Sequence, residues 1–261
     1  MKRKKLSVAL LELMNVSKNF GKLQAVSKLD FTVAKGDVHT LIGPNGAGKT
    51  TVFNLITGIF PLTSGRVLFD GEDITSLESH QIAQRGIARS FQQTFLFMQS
   101  TVLENILIGF HMHCKAGALK EFLHTASARK TDQKARREAL EIIEFMGLSG
   151  LKNELAGNLP HGHQRALGVS IALACRPTLL LLDEPVTGMN PTETTEMVER
   201  IRKIRDRGIT IILVEHTMRV VMDVSDRITV LSYGQKITEG LPSEIKQNKE
   251  VIEAYLGKEE T

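Results

Sequence analysis

The 261-residue sequence is 42% hydrophobic, enough for one large α/β domain or a domain with an inserted lobe, and no run approaches the roughly 18 apolar residues of a membrane helix. Its net charge of +4 admits nucleic acid or an anionic membrane surface as partner, yet basic and acidic residues are interspersed except at the amino-terminal tail and around residues 129–137. That pattern reads as solvated faces, and Cys114 and Cys175, far apart in sequence, give no disulfide framework and fit a reducing compartment.

The tail Met1-Lys2-Arg3-Lys4-Lys5 has the basic start of a secretion signal, but Glu12 interrupts the apolar run behind it and no small-residue cleavage site follows. A frayed basic tail on a cytoplasmic protein is expected. Residues 8–42 read as short strands: Leu11-Glu12-Leu13 alternates, Asn19-Phe20-Gly21 marks a turn, and Asp30-Phe31-Thr32-Val33 precedes the turn Lys35-Gly36-Asp37. Phe20, on such a turn, either stacks on a purine or closes a core strand.

The strand Val38-His39-Thr40-Leu41-Ile42 leads into Gly43-Pro44-Asn45-Gly46-Ala47-Gly48-Lys49-Thr50, which matches G-x-x-x-x-G-K-[ST] at every fixed position. Thr51 continues into a helix that stops at Gly58. The glycines let the backbone turn tightly and aim its N–H groups inward, and the helix N-terminus adds roughly half a positive charge toward a phosphate. Lys49 is placed to reach the β- and γ-phosphates of a nucleoside triphosphate, and Thr50 to offer its hydroxyl to Mg²⁺.

Further along, Asp70-Gly71 signals a hairpin, a helix over residues 79–85 ends at Gly86, and Ile87-Ala88-Arg89-Ser90-Phe91 is a strand ending at Gln92-Gln93. Polar residues at such a strand end are where parallel sheets usually meet ligands. Residues 101–158 turn helical, with a capping box at Thr101-Val102-Leu103-Glu104 and a charged helix from Thr131 to Gly147. His111-Met112-His113-Cys114 lacks a second ligand group at a recognisable distance, so no metal site is expected there.

Leu159-Pro160-His161-Gly162-His163-Gln164 opens a helix through Cys175, with Pro160 in its first turn. Residues 178–182 run apolar without alternation into Asp183-Glu184-Pro185, the mark of a strand buried on both faces whose terminal acids are not there for stability. Asn190-Pro191-Thr192-Glu193 caps a helix that ends at Gly208. Residues 209–214 form a second buried strand closing on Glu215-His216, a hairpin turns at Tyr233-Gly234, and residues 251–256 form a last short helix.

A phosphate loop, a Gln after a strand, a glycine-containing turn before a four-leucine strand ending in Asp-Glu, and a His after the next strand make one ordered set. Together they resemble the ATP-binding subunit of an ABC transporter over nearly the whole chain. Ile87-Ala88-Arg89-Ser90-Phe91-Gln92, Thr187-Gly188-Met189-Asn190-Pro191 and Ala254-Tyr255-Leu256-Gly257 are most similar to the ATPases of branched-chain, or hydrophobic, amino-acid importers. The resemblance implies an α/β P-loop NTPase of ABC type: a mixed sheet core at about residues 6–100 and 177–240 with an antiparallel β subdomain, an inserted helical subdomain at 101–176 and a helical tail at 241–261.

Carried over residue by residue, the resemblance implies that ATP is held by Phe20 on its adenine and by Gly43, Pro44, Asn45, Gly46, Ala47, Gly48, Lys49, Thr50 and Thr51 on its phosphates. Thr50, Gln92 and Asp183 would serve Mg²⁺, Glu184 would polarise the attacking water, and His216 would touch the γ-phosphate. Family members act as head-to-tail dimers, so His161 and Gly162 would face the partner's nucleotide. Where the family's signature has Leu-Ser-Gly-Gly-Gln, this chain has Leu159-Pro160-His161-Gly162-His163, without the serine hydroxyl, and Asn190 replaces an Asp common in relatives.

The expected partners are transmembrane permease subunits, a second ATP-binding subunit, identical or not, and indirectly a solute-binding protein, at the cytoplasmic face of the membrane and without nucleic acid. The apolar residues Phe95, Leu96, Phe97 and Met98 in the loop 94–99 are expected to dock onto a membrane subunit. Alternatives are the ATPase of lipopolysaccharide export and a soluble ABC ATPase outside transport.

Overall fold

The computed structural model describes residues 8–90, 96–111, 126–248 and 250–251. Gln92, Phe91, Phe95, Cys114 and the endings 1–5 and 252–261 lie outside the described residues, and with them the expectations placed there. The strands are β1 Ala9–Phe20, β2 Leu23–Ala34, β3 Val38–Ile42, β4 Ser64–Phe69, β5 Glu72–Asp73, β6 Ile87–Ser90, β7 Leu179–Asp183, β8 Thr210–Val214, β9 Arg227–Ser232 and β10 Gln235–Gly240. The helices are α1 Lys49–Ile56, α2 Ser79–Gln84, α3 Val102–His111, α4 Ala126–Phe145, α5 His161–Ala174, α6 Pro191–Asp206, α7 Met218–Val224 and α8 Pro242–Ile245. They divide between two compact units, Met1–Ile82 with Ile201–Thr261, and Ala83–Arg200.

In the first unit β1 and β2 are not short: each runs 12 residues, in an antiparallel sheet of order β2-β1-β4-β5. Their periodicity is broken by bulges, one of them between Leu13 and Val16, where Asn15 takes a left-handed φ of 52° and its N–H donates to Asp30 Oδ1 at 2.8 Å. A bulge resets which face each side chain takes, so one long strand reads in sequence as several short ones. β4 crosses closely beside this bulge, and a Cβ on Gly65 would lie 2.4 Å from the Asn15 carbonyl oxygen.

In the same unit β3 lies between β8 and β9, parallel to both, and β10 pairs antiparallel with β9. All five residues of β3 and of β8 are buried, as expected for parallel strands covered on both faces. Both expected two-residue turns form with left-handed backbones at Asp70-Gly71 and Tyr233-Gly234, the type I′ requirement. Ile42, Val221, Ile228, Val230 and Ile245 form one apolar cluster under this sheet.

In the second unit β6 and β7 pair in parallel. The capping box at the head of α3 is present, with Thr101 N–H donating to Glu104 Oε2 at 2.7 Å and Glu104 N–H to Thr101 Oγ1 at 3.2 Å. α4 begins at Ala126, ahead of the Thr131 start read from the charge pattern, because alanines and a serine carry no periodic signal. Pro160 is the N-cap of α5 and not a first-turn residue: its backbone is extended, at φ −55° and ψ 153°. Cys175 is a free thiol. No helix of the described residues is long and apolar enough to cross a membrane.

One buried group ties stability to pH. His39, in the middle of β3, is fully buried, bonds Thr229 Oγ1 through Nε2 at 2.8 Å and packs edge-on against Phe31. Burial pushes its imidazole down to about 4 from the ordinary 6.5, with Glu239 opposing. Below pH 6.5 the unfolded chain takes up this proton and the folded chain does not, so the contribution is complete above 6.5 and disappears toward pH 4, by roughly 3 kcal/mol. Urea unfolding across that window should show a pH slope in the native chain that His39→Gln flattens.

Candidate nucleotide-binding site

The phosphate loop is built by close passage of backbone. Gly43 leaves β3 at φ 154°, and a Cβ there would lie 2.2 Å from the Leu231 carbonyl oxygen; at Gly48, φ 101°, it would lie 2.7 Å from that of Ala25. Gly46 is different, since nothing crowds it and only its left-handed φ of 80° asks for glycine. Ala47 N–H closes the turn on the Pro44 carbonyl at 3.1 Å. Lys49, buried at the head of α1, curls over the loop and donates from Nζ to the carbonyls of Gly43 at 2.6 Å and Pro44 at 2.9 Å. Asn45 and Thr50 are exposed and Thr51 half-buried, and α1, with Gly48 as its N-cap, has no side-chain cap bond to its first-turn N–H groups.

β8 pairs with β3 in register Leu41 to Val214, which sends Gly43 and His216 out at the same carboxyl end of the sheet. His216 is exposed there, beside the buried Glu215. Phe20 ends β1 with 41% of its surface exposed. Phe60 meets it edge-to-face at 5.2 Å, and Lys18 Nζ sits 4.9 Å from the Phe20 ring centre while donating to the Pro61 carbonyl at 2.7 Å. Sequence reasoning missed both supports. Lys18 shares a strand face with Phe20 at a spacing of two, which was readable, whereas Phe60 arrives from the loop after α1 with no local signal.

In the second unit Asp183 closes β7 with a fully buried side chain. Its Oδ2 accepts Arg89 Nη2 at 2.7 Å, and its Oδ1 is buried with no hydrogen-bond partner among the described residues. Burial pushes this carboxyl above the usual range, and the Arg89 bond opposes it. Glu184 follows in a left-handed backbone, φ 48°, strain of order 1 kcal/mol that clusters at working sites. Its side chain is half-buried and accepts Thr187 Oγ1 at 3.3 Å.

The first turn of α5 exposes His161 and buries Gly162, whose hypothetical Cβ would lie 2.9 Å from the Glu193 carboxylate. That carboxylate accepts Asn190 N–H at 2.9 Å, and Asn190 Oδ1 in turn accepts the N–H groups of Thr192 and Glu193, so Asn190 is the N-cap of α6. In the first unit a glycine cradle with a lysine and an exposed Thr50 hydroxyl at a helix head suit the phosphates of a magnesium nucleotide, and in the second unit Asp183 offers a buried carboxylate oxygen with no partner among the described residues, a donor that suits the ion.

Residues 26–187 match the ABC transporter family, and residues 235–261 match the branched-chain amino acid ATP-binding cassette transporter family. The chain belongs to the ABC transporter family. This cassette is 39% identical over 253 residues to the high-affinity branched-chain amino acid transport ATP-binding protein BraF of Pseudomonas aeruginosa, across 97% of this chain and 99% of BraF. It is 40% identical, over the same shares, to LivG of Escherichia coli K12. The ADP conformation of MJ1267, an ATP-binding cassette of an ABC transporter, is similar at a TM-score of 0.84 and 33% identity, over 97% of this chain and 100% of MJ1267. The α/β P-loop cassette with a mixed sheet, an antiparallel sheet and helices is thus the fold of this chain, and its family is one of ATPases.

The crowding at Gly162 makes the cassette's signature turn testable by itself. Gly162→Ala should push Glu193 off Asn190 N–H and cost about 1 kcal/mol, the worth of a helix cap. Gly162→Asp should cost more, by adding a second carboxylate against Glu193, and Glu193→Gln should remove the difference between the two variants. Urea unfolding midpoints check the series.

Proposed function

We propose that this cassette binds ATP with Mg²⁺ and hydrolyses it to power import of branched-chain or other hydrophobic amino acids through separate permease subunits. It works peripherally at the cytoplasmic face, with a second ATP-binding subunit, identical or not, and serves a solute-binding protein only indirectly. The observation that carries this reading is the crowded glycine loop with Lys49 folded over it, in a chain whose residues 235–261 match the branched-chain amino acid cassettes.

In this reading the loop N–H groups of residues 43–51, Pro44 aside, and the Lys49 ammonium bind the phosphates, and the exposed face of Phe20 carries the adenine. Thr50 and Asp183 would hold Mg²⁺, with Gln92 as a further ligand, and the ion would neutralise phosphate charge when bound. Glu184 accepts a proton from the attacking water, and His216 donates to the γ-phosphate. His161 and Gly162 offer N–H groups and a helix N-terminus to the nucleotide of the partner subunit, a contact that survives Pro160 because it runs through backbone. Positioning supplies most of the acceleration, since phosphoryl transfer asks little covalent chemistry of the protein.

Glu184→Gln should bind ATP with native affinity while its turnover falls at least a hundredfold, checked by calorimetry and phosphate release. Near-native hydrolysis would remove Glu184 from the base role. Import itself is tested by uptake of labelled leucine, isoleucine and valine into vesicles holding the assembled transporter.

The permease-docking loop is narrower than its sequence suggests. Leu96 is buried, while Phe97 is 57% and Met98 42% exposed. Buried Asn105 holds them outward: its Oδ1 accepts Phe97 N–H at 2.9 Å and its Nδ2 donates to the carbonyls of Phe97, Ser100 and Thr101. Phe97→Asp should leave the isolated subunit's stability within about 0.5 kcal/mol and its ATP affinity unchanged, yet uncouple uptake from hydrolysis in the assembled transporter. A large loss of stability would place Phe97 in the chain's own core instead.

A further inference from the structure

We infer that Arg89 is a positioning residue for magnesium: it holds one oxygen of Asp183 so that the other alone is presented to the ion. The inference rests on the assignment of Asp183 to Mg²⁺ made above. The parallel register of β6 and β7 pairs Arg89 with Leu181, and from there the guanidinium reaches the carboxylate two residues on, at the end of β7. Both side chains are buried, 7% exposed for Arg89 and 0% for Asp183.

Taking two charges out of water costs several kcal/mol per ion, and their attraction seldom does more than offset it, so stability is a poor reason for this pair in a sheet core. Its geometry gives a better one. A charge-assisted bond of 2.7 Å fixes Oδ2, and with it the plane of the carboxylate. Oδ1 is then left buried and without a hydrogen-bond partner among the described residues. A buried acceptor in that condition costs energy in the folded chain, and its retention points to a partner that arrives with the ligand. Magnesium keeps most of its water and asks a protein carboxylate for a single oxygen in a fixed direction, which is what remains here.

Arginine suits the task better than lysine. Its planar fork fixes orientation as well as charge. The sequence marked Arg89 only as part of a resemblance; the cross-strand bond gives it work.

The test is binding of a non-hydrolysable ATP analogue to the full chain by calorimetry, with Mg²⁺ and in excess EDTA. Arg89→Met should weaken binding about tenfold in Mg²⁺, the lower end for losing an outer partner of a metal ligand, and leave affinity in EDTA unchanged. Arg89→Lys should recover part of the Mg²⁺ benefit, and it is read in the same way should the methionine variant not fold. Equal losses with and without Mg²⁺, or a full Mg²⁺ benefit in both variants, would reduce the pair to a structural contact and overturn the inference. Asp183→Asn separates the two levels: if it retains the whole Mg²⁺ benefit, the metal assignment fails, and the role of Arg89 with it.

Discussion

The phosphate seat depends on how closely the chain passes itself at Gly43 and Gly48, where a single methyl would overlap the Leu231 and Ala25 carbonyl oxygens. These contacts bind the loop between β3 and α1 to two other strands, β9 and β2, so that the N–H groups are aimed before any ligand arrives. The buried parallel strands behind the loop supply the rigidity. β3 has no exposed residue, and even its one histidine is kept neutral by the same burial that holds the strand in place. Preorganisation of this kind is what phosphoryl transfer asks of a protein.

The second unit solves a different problem, keeping Asp183 buried while leaving Glu184 beside it only half-buried. Asp183 is kept by Arg89, and Glu184 is turned out of the strand line by a left-handed backbone that only the surrounding structure can enforce. Neither arrangement favours the folded state by itself. The leucines of β7 and the helices around it meet the cost, as the core of a domain usually does for a strained site.

Short-range chemistry was readable. The strand-loop-helix of the glycine loop, the two hairpin turns, the capping boxes at Thr101 and Asn190 and the buried strands β7 and β8 are each signalled by residues a few positions apart, and these elements formed as read. Readings that failed met longer-range effects. Bulges against β2 and β4 hid the true length of β1, Leu96 is buried beside the exposed Phe97 and Met98, and the entry of the chain moved Pro160 from first turn to cap.

By itself the sequence determined the family and the order of the motifs, because the spacing of glycine and lysine along one strand-loop-helix is a local property. Tertiary structure alone decided what supports those groups. Phe60 against Phe20, Glu193 against Gly162, and Arg89 on Asp183 are contacts between residues 31 to 94 positions apart. Such pairs follow from strand register and helix approach, which no single stretch of the chain encodes.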